Sequence, residues 1–241
     1  MDRASIHKLR IQAENGDLNA QCRLADHYGS LQTARADRQA IRWLKLAAFQ
    51  GERWAQYSLG YAYDEGIGIR RDRNYAARWY ELAAAQGYPS AQLNLGIILA
   101  HRKGAERDLR RAITLYRLAA RQGRPNAMYN LALYYLHGRG VRKNLRASFQ
   151  WFMKAAKAGE TESQFEVAYR LHEGIGVRRN PQQSVAWYRR AARGGNSAAH
   201  FNLYLCYKDG DGIDANSTRG RYHLKKAADL GMVRAQKRLA E

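Results

Sequence analysis

Proline is nearly absent, with three residues in a chain of 241. So few helix breakers, beside a wealth of Ala, Leu, Arg, Gln and Tyr, exclude a loop-rich or disordered chain and favour helix. Cysteine is scarcer still: Cys22 and Cys206 stand far apart and in different registers of the pattern described below. That excludes a disulfide framework and fits a reducing compartment. No run of eighteen apolar residues occurs, so no transmembrane helix is expected. The opening Met1-Asp-Arg-Ala-Ser-Ile-His-Lys lacks the apolar core of a signal peptide, and the expected location is the cytoplasm. Acidic residues are the last deficit. Asp and Glu number 21 against 41 Lys and Arg, a formal net charge of +20. Such a field speeds encounter with anionic partners (acidic proteins, nucleic acids or an anionic membrane surface) and says nothing of the fold.

What the chain has is a repeat. A phrase closing on glycine recurs as Leu46-Ala-Ala-Phe-Gln-Gly51, Leu82-Ala-Ala-Ala-Gln-Gly87, Leu118-Ala-Ala-Arg-Gln-Gly123, Lys154-Ala-Ala-Lys-Ala-Gly159, Arg190-Ala-Ala-Arg-Gly-Gly195 and Lys226-Ala-Ala-Asp-Leu-Gly231, each glycine 36 residues after the last. A degenerate earlier copy ends at Gly16, one residue out of step, and no proline- or serine-rich linker breaks the series. The expectation is one continuous array over 1–241: a half repeat 1–16, repeats 17–51, 52–87, 88–123, 124–159, 160–195 and 196–231, and a terminal helix 232–241.

Each period holds two helical stretches. Helix A carries Ala55, Leu59, Gly60 and Tyr63, echoed by Ala91, Leu95, Gly96, Leu99 and by Ala127, Leu131, Ala132, Tyr135; that spacing makes one apolar face. Helix B carries Trp79-Tyr80 before Ala83-Ala84, with Trp43, Trp151-Phe152 and Trp187-Tyr188 in register, and these aromatics are assigned to the core. Between them lie Gly66-Ile-Gly68, Gly138-Arg-Gly140, Gly174-Ile-Gly176 and Gly210-Asp-Gly212, read as turns where glycine supplies positive φ. The column Asp37, Asp72, Asp108, Asn144, Asn180, Asn216 is read as N-caps of helix B, and the closing glycine as its left-handed end. The prediction is an all-α fold of fourteen helices. It is a right-handed α-α superhelical solenoid of about seven helix-turn-helix repeats, with concave and convex surfaces.

Ala55-Gln56, Leu59-Gly60, Tyr63, Gly66-Ile-Gly68, Asp72, Ala76, Trp79-Tyr80, Ala83-Ala84 and Gly87 together resemble the SEL-one-like repeat, a relative of the tetratricopeptide repeat. The resemblance covers nearly the whole chain. It implies adaptor and scaffold proteins that gather partners, frequently in bacterial signalling, envelope and host-interaction systems, with no catalytic residues and no cofactor. Two repeats depart from it: 88–123 has His101-Arg-Lys-Gly104 in place of the Gly-x-Gly pair, and 17–51 is shortened near Gly29-Ser-Leu. Their turns are expected to differ. The cysteine-rich secreted branch carries a disulfide in each repeat, and nothing like that is present.

Because arrays of this kind place helix A on the concave side, its positions outside the core are the candidate groove. One stripe at i, i+4, i+7 contributes Asn94, His101, Asn130, Tyr134, His137, Arg170 and Asn202. Asn is a poor helix former, so its recurrence fits an amide that faces a ligand backbone or a neighbouring repeat. The alternative is an ordinary solvated face. His101 and His137, one repeat apart, lack a third ligand and are read as exposed histidines with no metal. Asp209-Gly-Asp211-Gly-Ile-Asp214 lacks the closing Glu of a calcium loop and is read as a turn.

A basic ridge follows the turns at Arg70, Arg71, Arg107, Arg142, Lys143, Arg178 and Arg179, and a second set, including Lys154, Arg189, Arg190, Arg193 and Lys226, marks the later B helices. The expected activity is therefore a non-enzymatic scaffold whose groove takes an acidic partner protein or peptide. Nucleic-acid binding along the ridge, with affinity falling steeply in salt, is the alternative.

Overall fold

The computed structural model describes residues 2–101 and 106–240, the side chains at 106 and 107 excepted. Among these residues there are fourteen helices and no strand. They form two compact units that meet at a repeat boundary, residues 1–122 and 123–241. The first unit holds α1 (Arg3–Glu14), α2 (Leu18–Gly29), α3 (Ala34–Phe49), α4 (Arg53–Glu65), α5 (Arg73–Ala85), α6 (Pro89–His101) and α7 (Glu106–Arg121). The second holds α8 (Pro125–His137), α9 (Leu145–Lys157), α10 (Thr161–Glu173), α11 (Pro181–Arg193), α12 (Ser197–Asp209), α13 (Ser217–Asp229) and α14 (Val233–Ala240). Even-numbered helices are helix A and odd-numbered ones helix B. Inside each unit every helix packs on its chain neighbours, the α-α solenoid arrangement.

The hairpin closes because small residues on helix A face large ones on helix B. Tyr80 and Tyr116 are buried, and a Cβ placed on Gly60 or Gly96 would stand 2.8 Å from Tyr80 and 2.7 Å from Tyr116. In the second unit the same column holds Ala132 and Ala168 opposite Phe152 and Tyr188. There Ser148 and Ser184 donate from Oγ to the Ala132 and Ala168 carbonyls at 2.8 and 2.7 Å. In the last pair the sizes reverse: Tyr204 stands in the small column and Gly220 lies across from it, where an added Cβ would find Tyr204 at an ordinary 3.6 Å. Close helix contact is preserved by trading volume across the interface.

Adjacent repeats are tied by glutamine. Gln21, Gln56, Gln92, Gln164 and Gln236 each donate from Nε2 to the carbonyl eight residues earlier, at Ala13, Ala48, Ala84, Ala156 and Ala228, each the next-to-last residue of the preceding helix B. In the first unit a second set completes a relay. Gln50, Gln86 and Gln122 donate to the Gly16, Gly51 and Gly87 carbonyls and to the Oε1 of Gln21, Gln56 and Gln92, at 2.8–3.1 Å. Orphan carbonyls at a helix C-terminus are thereby satisfied from the next repeat. In the second unit the relay position carries Ala158, Gly194 and Leu230, and the relay is missing.

The caps follow the sequence with two corrections. Asp72, Asn144, Asn180 and Asn216 accept from the opening N–H groups of α5, α9, α11 and α13. Asp37 does not, because the shortened first repeat starts α3 earlier with Thr33 as its cap. Asp108 lies inside α7, which begins at Glu106. In the Gly-x-Gly turns the first glycine ends helix A in the left-handed region, at φ 69–78° for Gly66, Gly138, Gly174 and Gly210. The second serves a different end. A Cβ on Gly68 would stand 2.7 Å from the Asp37 backbone, and one on Gly176 or Gly212 would strike the carbonyls of Leu145 and Pro181, so the turn rests on the helix B start of the repeat before. The first repeat turns through Gln32 at φ 50°, and the departure at 102–104 falls outside the described residues.

Removing a relay glutamine strands two partners at once. Gln92→Leu is expected to cost about 2 kcal/mol in urea unfolding, since the Ala84 carbonyl and the Gln122 amide both lose a bond. Gln164→Leu, whose repeat has no relay, is expected to cost about 1 kcal/mol.

Candidate functional site

The structure divides the seven expected groove residues. His101 and His137 are exposed at the last residues of α6 and α8, and Asn94, Asn130 and Asn202 are half-buried. The Asn94 amide is not spare, because it donates at 3.1 Å to the hydroxyl of Tyr80 in the preceding helix B. His101 Nδ1 lies 2.8 Å from the Ile97 carbonyl one turn back. Tyr134 and Arg170 are only 8% and 4% exposed. Their column, Ala62, Ile98, Tyr134, Arg170 and Cys206, is buried throughout. Inside each unit helix A touches both its own helix B and the preceding one, which widens its buried arc beyond the face that Ala55, Leu59 and Tyr63 define.

Turning helix A by one residue reveals the column that does meet solvent. In the first unit it holds Tyr61 and Ile97, 44% and 36% exposed. In the second it holds Tyr169, 40% exposed, with half-buried Leu133 and Leu205 in the same register. Tyr61 stacks on Tyr57 and Tyr169 on Phe165, ring centroids 6.4 Å apart in both pairs, so each exposed ring is braced by an aromatic one turn earlier. The expected Asn and His residues flank this column: Asn94 and His101 lie three before and four after Ile97, and Asn130 and His137 do the same about Leu133. The 36-residue recurrence of a large apolar residue two places after the core leucine was the signal available in the sequence. It is hidden there because the core column one residue on is apolar too.

Arg170 is the one cation in the buried column. Its guanidinium donates to the Glu166 carboxylate and to the Glu166 carbonyl at 3.2 Å, and lies over the Phe152 ring at 4.3 Å. Its Nε is buried with no hydrogen-bond partner. A charge held this way depends on its counter-ion.

On the ridge, Arg70, Arg71, Arg142, Lys143, Arg178 and Arg179 are exposed, and the Arg107 side chain falls outside the described residues. Two of them have local work. Arg71 Nε donates at 2.6 Å to the Asp64 carbonyl and Arg179 Nε at 2.9 Å to the His172 carbonyl, closing the C-terminal ends of α4 and α10. Arg179 also pairs with Asp211 at 2.5 Å, and His172 Nε2 lies 2.9 Å from the same carboxylate. Cys22 and Cys206 are free thiols, both pushed up to about 11 chiefly by burial, which keeps them protonated. Among the described residues no three His, Cys, Asp or Glu side chains gather as a metal site, and no helix is long and apolar enough to cross a membrane.

A feature that sequence reasoning missed lies on the other side of the hairpins. His200 stands at the glutamine position of its repeat. Its Nδ1 lies 2.9 Å from Nδ1 of His223, which stacks on Tyr207 at 5.7 Å. A neutral pair satisfies this contact with one nitrogen donating and one accepting, whereas two imidazolium rings would oppose two N–H groups. Burial, then His200 and Arg189, hold His223 down at about 4, and burial also lowers His200.

Two outcomes follow for stability. Glu166→Ala is expected to cost about 2–3 kcal/mol by leaving Arg170 buried without its counter-ion, while Arg170→Met stays within about 1 kcal/mol of the parent in urea unfolding. The unfolded chain protonates His223 near 6.5 and the folded chain only near 4, so the pair's contribution is intact above pH 6.5 and lost toward pH 4. The expected loss is about 1–2 kcal/mol after solvent screening, abolished in the double variant His200→Gln/His223→Leu.

The Sel1 repeat pattern matches residues 18–52, 55–88, 89–123, 125–160, 161–196 and 197–232. Among solved structures, a protective antigen of uropathogenic Escherichia coli strains, displaying an SLR fold, matches 97% of this chain at 33% identity and TM-score 0.90; the chain spans 50% of that protein's length. A Sel1 repeat protein from Oxalobacter formigenes matches 89% of this chain, with 86% of its own length covered, at 31% identity and TM-score 0.78. An immunity protein from Pseudomonas aeruginosa shares the fold at 18% identity and TM-score 0.54, over 87% of this chain and 82% of its own. No curated protein matches the chain. The chain belongs to the Sel1 repeat family and is built as a helical-repeat scaffold of the kind that mediates protein interactions.

Proposed function

We propose that this chain is a non-catalytic bacterial adaptor, working in the cytoplasm as a single array, whose helix A surface takes an acidic segment of a partner protein. The observation that carries this reading is the recurring solvent-facing column of Tyr61, Ile97 and Tyr169, with Leu133 and Leu205 in register. Large apolar side chains scattered singly on a surface need no explanation, but the same exposed position repeated along a stack of helices is the pattern of a recognition face. Such side chains on rigid helices supply contact area at low entropic cost. Asn130 and Asn202 beside them offer amide groups, while the Asn94 amide is held by Tyr80, and His101 and His137 form a polar rim. Tyr134 and Arg170, from inside, hold the helices that carry the face.

The partner's charge follows from the chain's own. A formal charge of +20 favours an acidic segment by steering the encounter, while the apolar column decides what stays bound. The fitting ligand is an acidic stretch with apolar side chains of its own.

Affinity capture from a nuclease-treated bacterial extract tests this, with the retained proteins identified and bound peptides mapped. One acidic partner should be retained by the parent chain. Capture should fall about tenfold or more for Ile97→Ser/Tyr169→Ser, a double variant expected to cost about 2 kcal/mol in urea unfolding while its helical circular dichroism is unchanged. Retention unchanged by that variant would sink the apolar-column reading. Loss of all retained material on nuclease treatment, with dependence on Arg70, Arg142, Lys143 and Arg178, would instead establish the nucleic-acid alternative.

A further inference from the structure

The cleft between successive B helices occurs twice in equivalent places with different side chains. In the first unit α5, α6 and α7 line a cleft of about 690 Å³, where Glu81, Ala85, Gln92, Leu115 and Leu118 stand beside Arg110 and Arg111, the latter paired with Glu81 at 2.5 Å. In the second, 108 residues on, α11, α12 and α13 enclose about 760 Å³, where the corresponding residues are Arg189, Arg193, His200, His223 and Lys226. At these five positions an acid and four neutral side chains become three cations and two imidazoles; counting Arg110 and Arg111 in the first cleft and Asp229 in the second, the formal charge rises from +1 to +2.

From this contrast we propose that the α11–α13 cleft is a binding site for a phosphate monoester carried on an aromatic or apolar body. Arg189, Arg193 and Lys226 set against Asp229 on the same cleft leave two formal positive charges. A phosphate monoester carries close to two negative charges at neutral pH and a carboxylate one, so charge balance selects the phosphate. Arg189 is already oriented, its Nη2 donating at 3.0 Å to the Tyr207 hydroxyl, and guanidinium groups present paired N–H donors to phosphate oxygens. Tyr222 and Leu230 supply the apolar wall. Leu230 stands where the first unit places its relay glutamine, and His200 where other repeats carry the paired glutamine, so the relay that would cross the cleft floor is absent here. The cleft exceeds the volume of a bare phosphate several times over, which leaves room for the body that bears it. The imidazoles, which burial keeps neutral, act as hydrogen-bonding groups.

Phenyl phosphate is the probe, titrated into the full chain by calorimetry and by following the His200 and His223 ring signals in NMR. Saturable binding with Kd of about 1 mM or tighter is expected, with both histidine signals moving and benzoate binding at least tenfold more weakly. Arg193→Ala/Lys226→Leu, which installs the residues of the first unit's cleft at two exposed positions, should weaken binding at least tenfold. Arg190→Ala, one residue from Arg189 and outside the cleft, should leave it unchanged. A phosphotyrosine peptide binding more tightly than phenyl phosphate would place the group on a protein, and equal affinity would place it on a small molecule. Equal binding to the double variant, equal loss in Arg190→Ala, or benzoate as tight as phenyl phosphate would each overturn the proposal. None of these results depends on the helix A face.

Discussion

Close approach between helices is the constraint on which everything else in this molecule rests. A hairpin of two helices can bury its apolar sides only if the backbones come near enough for one side chain to fill the space between them, and here that side chain is the aromatic of helix B. Gly60 and Gly96 make room for Tyr80 and Tyr116; Ala132 and Ala168 do so for Phe152 and Tyr188; Gly220 does so for Tyr204 from the opposite helix. The paired alanines that open each closing phrase do the same between repeats: the first alanine of every pair is fully buried or nearly so. Volume is exchanged across the contact, and the contact itself persists.

Close packing brings helix ends together, and the ends carry unsatisfied carbonyls. The chain resolves part of this with side chains: glutamine amides of the next repeat on the ends of α1, α3, α5, α9 and α13, and Arg71 and Arg179 of the same repeat on the ends of α4 and α10. This explains why a basic column follows the turns. Part of what reads as a charged ridge is end-capping by Arg71 and Arg179, while Arg70, Arg142, Lys143 and Arg178 are exposed without that role. The relay also divides the chain. The first unit carries it in full, with Leu46, Leu82 and Leu118 exposed on its B helices; the second lacks it and places Lys154, Arg190 and Lys226 at that position, two of them over the rings of Trp151 and Trp187. One repeat plan therefore bears two differently dressed outer faces.

The repeat made the fold readable. Its period, the glycine pairs and the Asp or Asn column located every helix pair, because each signal answers a backbone requirement that recurs at fixed spacing: positive φ at a helix end, a side-chain oxygen at a helix start. Where the spacing slipped, the reading slipped with it. The shortened first repeat moved the cap of α3 from Asp37 to Thr33, and the departure in the repeat at 88–123 placed Asp108 inside α7.

The candidate face was less legible. Sequence periodicity names the residues on one side of helix A, yet it cannot say how wide the buried arc becomes once a second helix B packs against it. Tyr134 and Arg170 fell inside that arc, and Tyr61, Ile97 and Tyr169 remained outside by a rotation of one residue. The His200–His223 pair was beyond reach for a similar reason: 23 residues separate the two rings in the chain, and only the packing of α13 on α12 brings them to 2.9 Å. What the sequence determined by itself was local, namely helix, turn, cap and period, since those depend on a few neighbouring residues. Which side of each helix meets solvent, and which distant side chains share a cleft, was decided by the tertiary structure, because burial belongs to the assembled stack and not to any one helix.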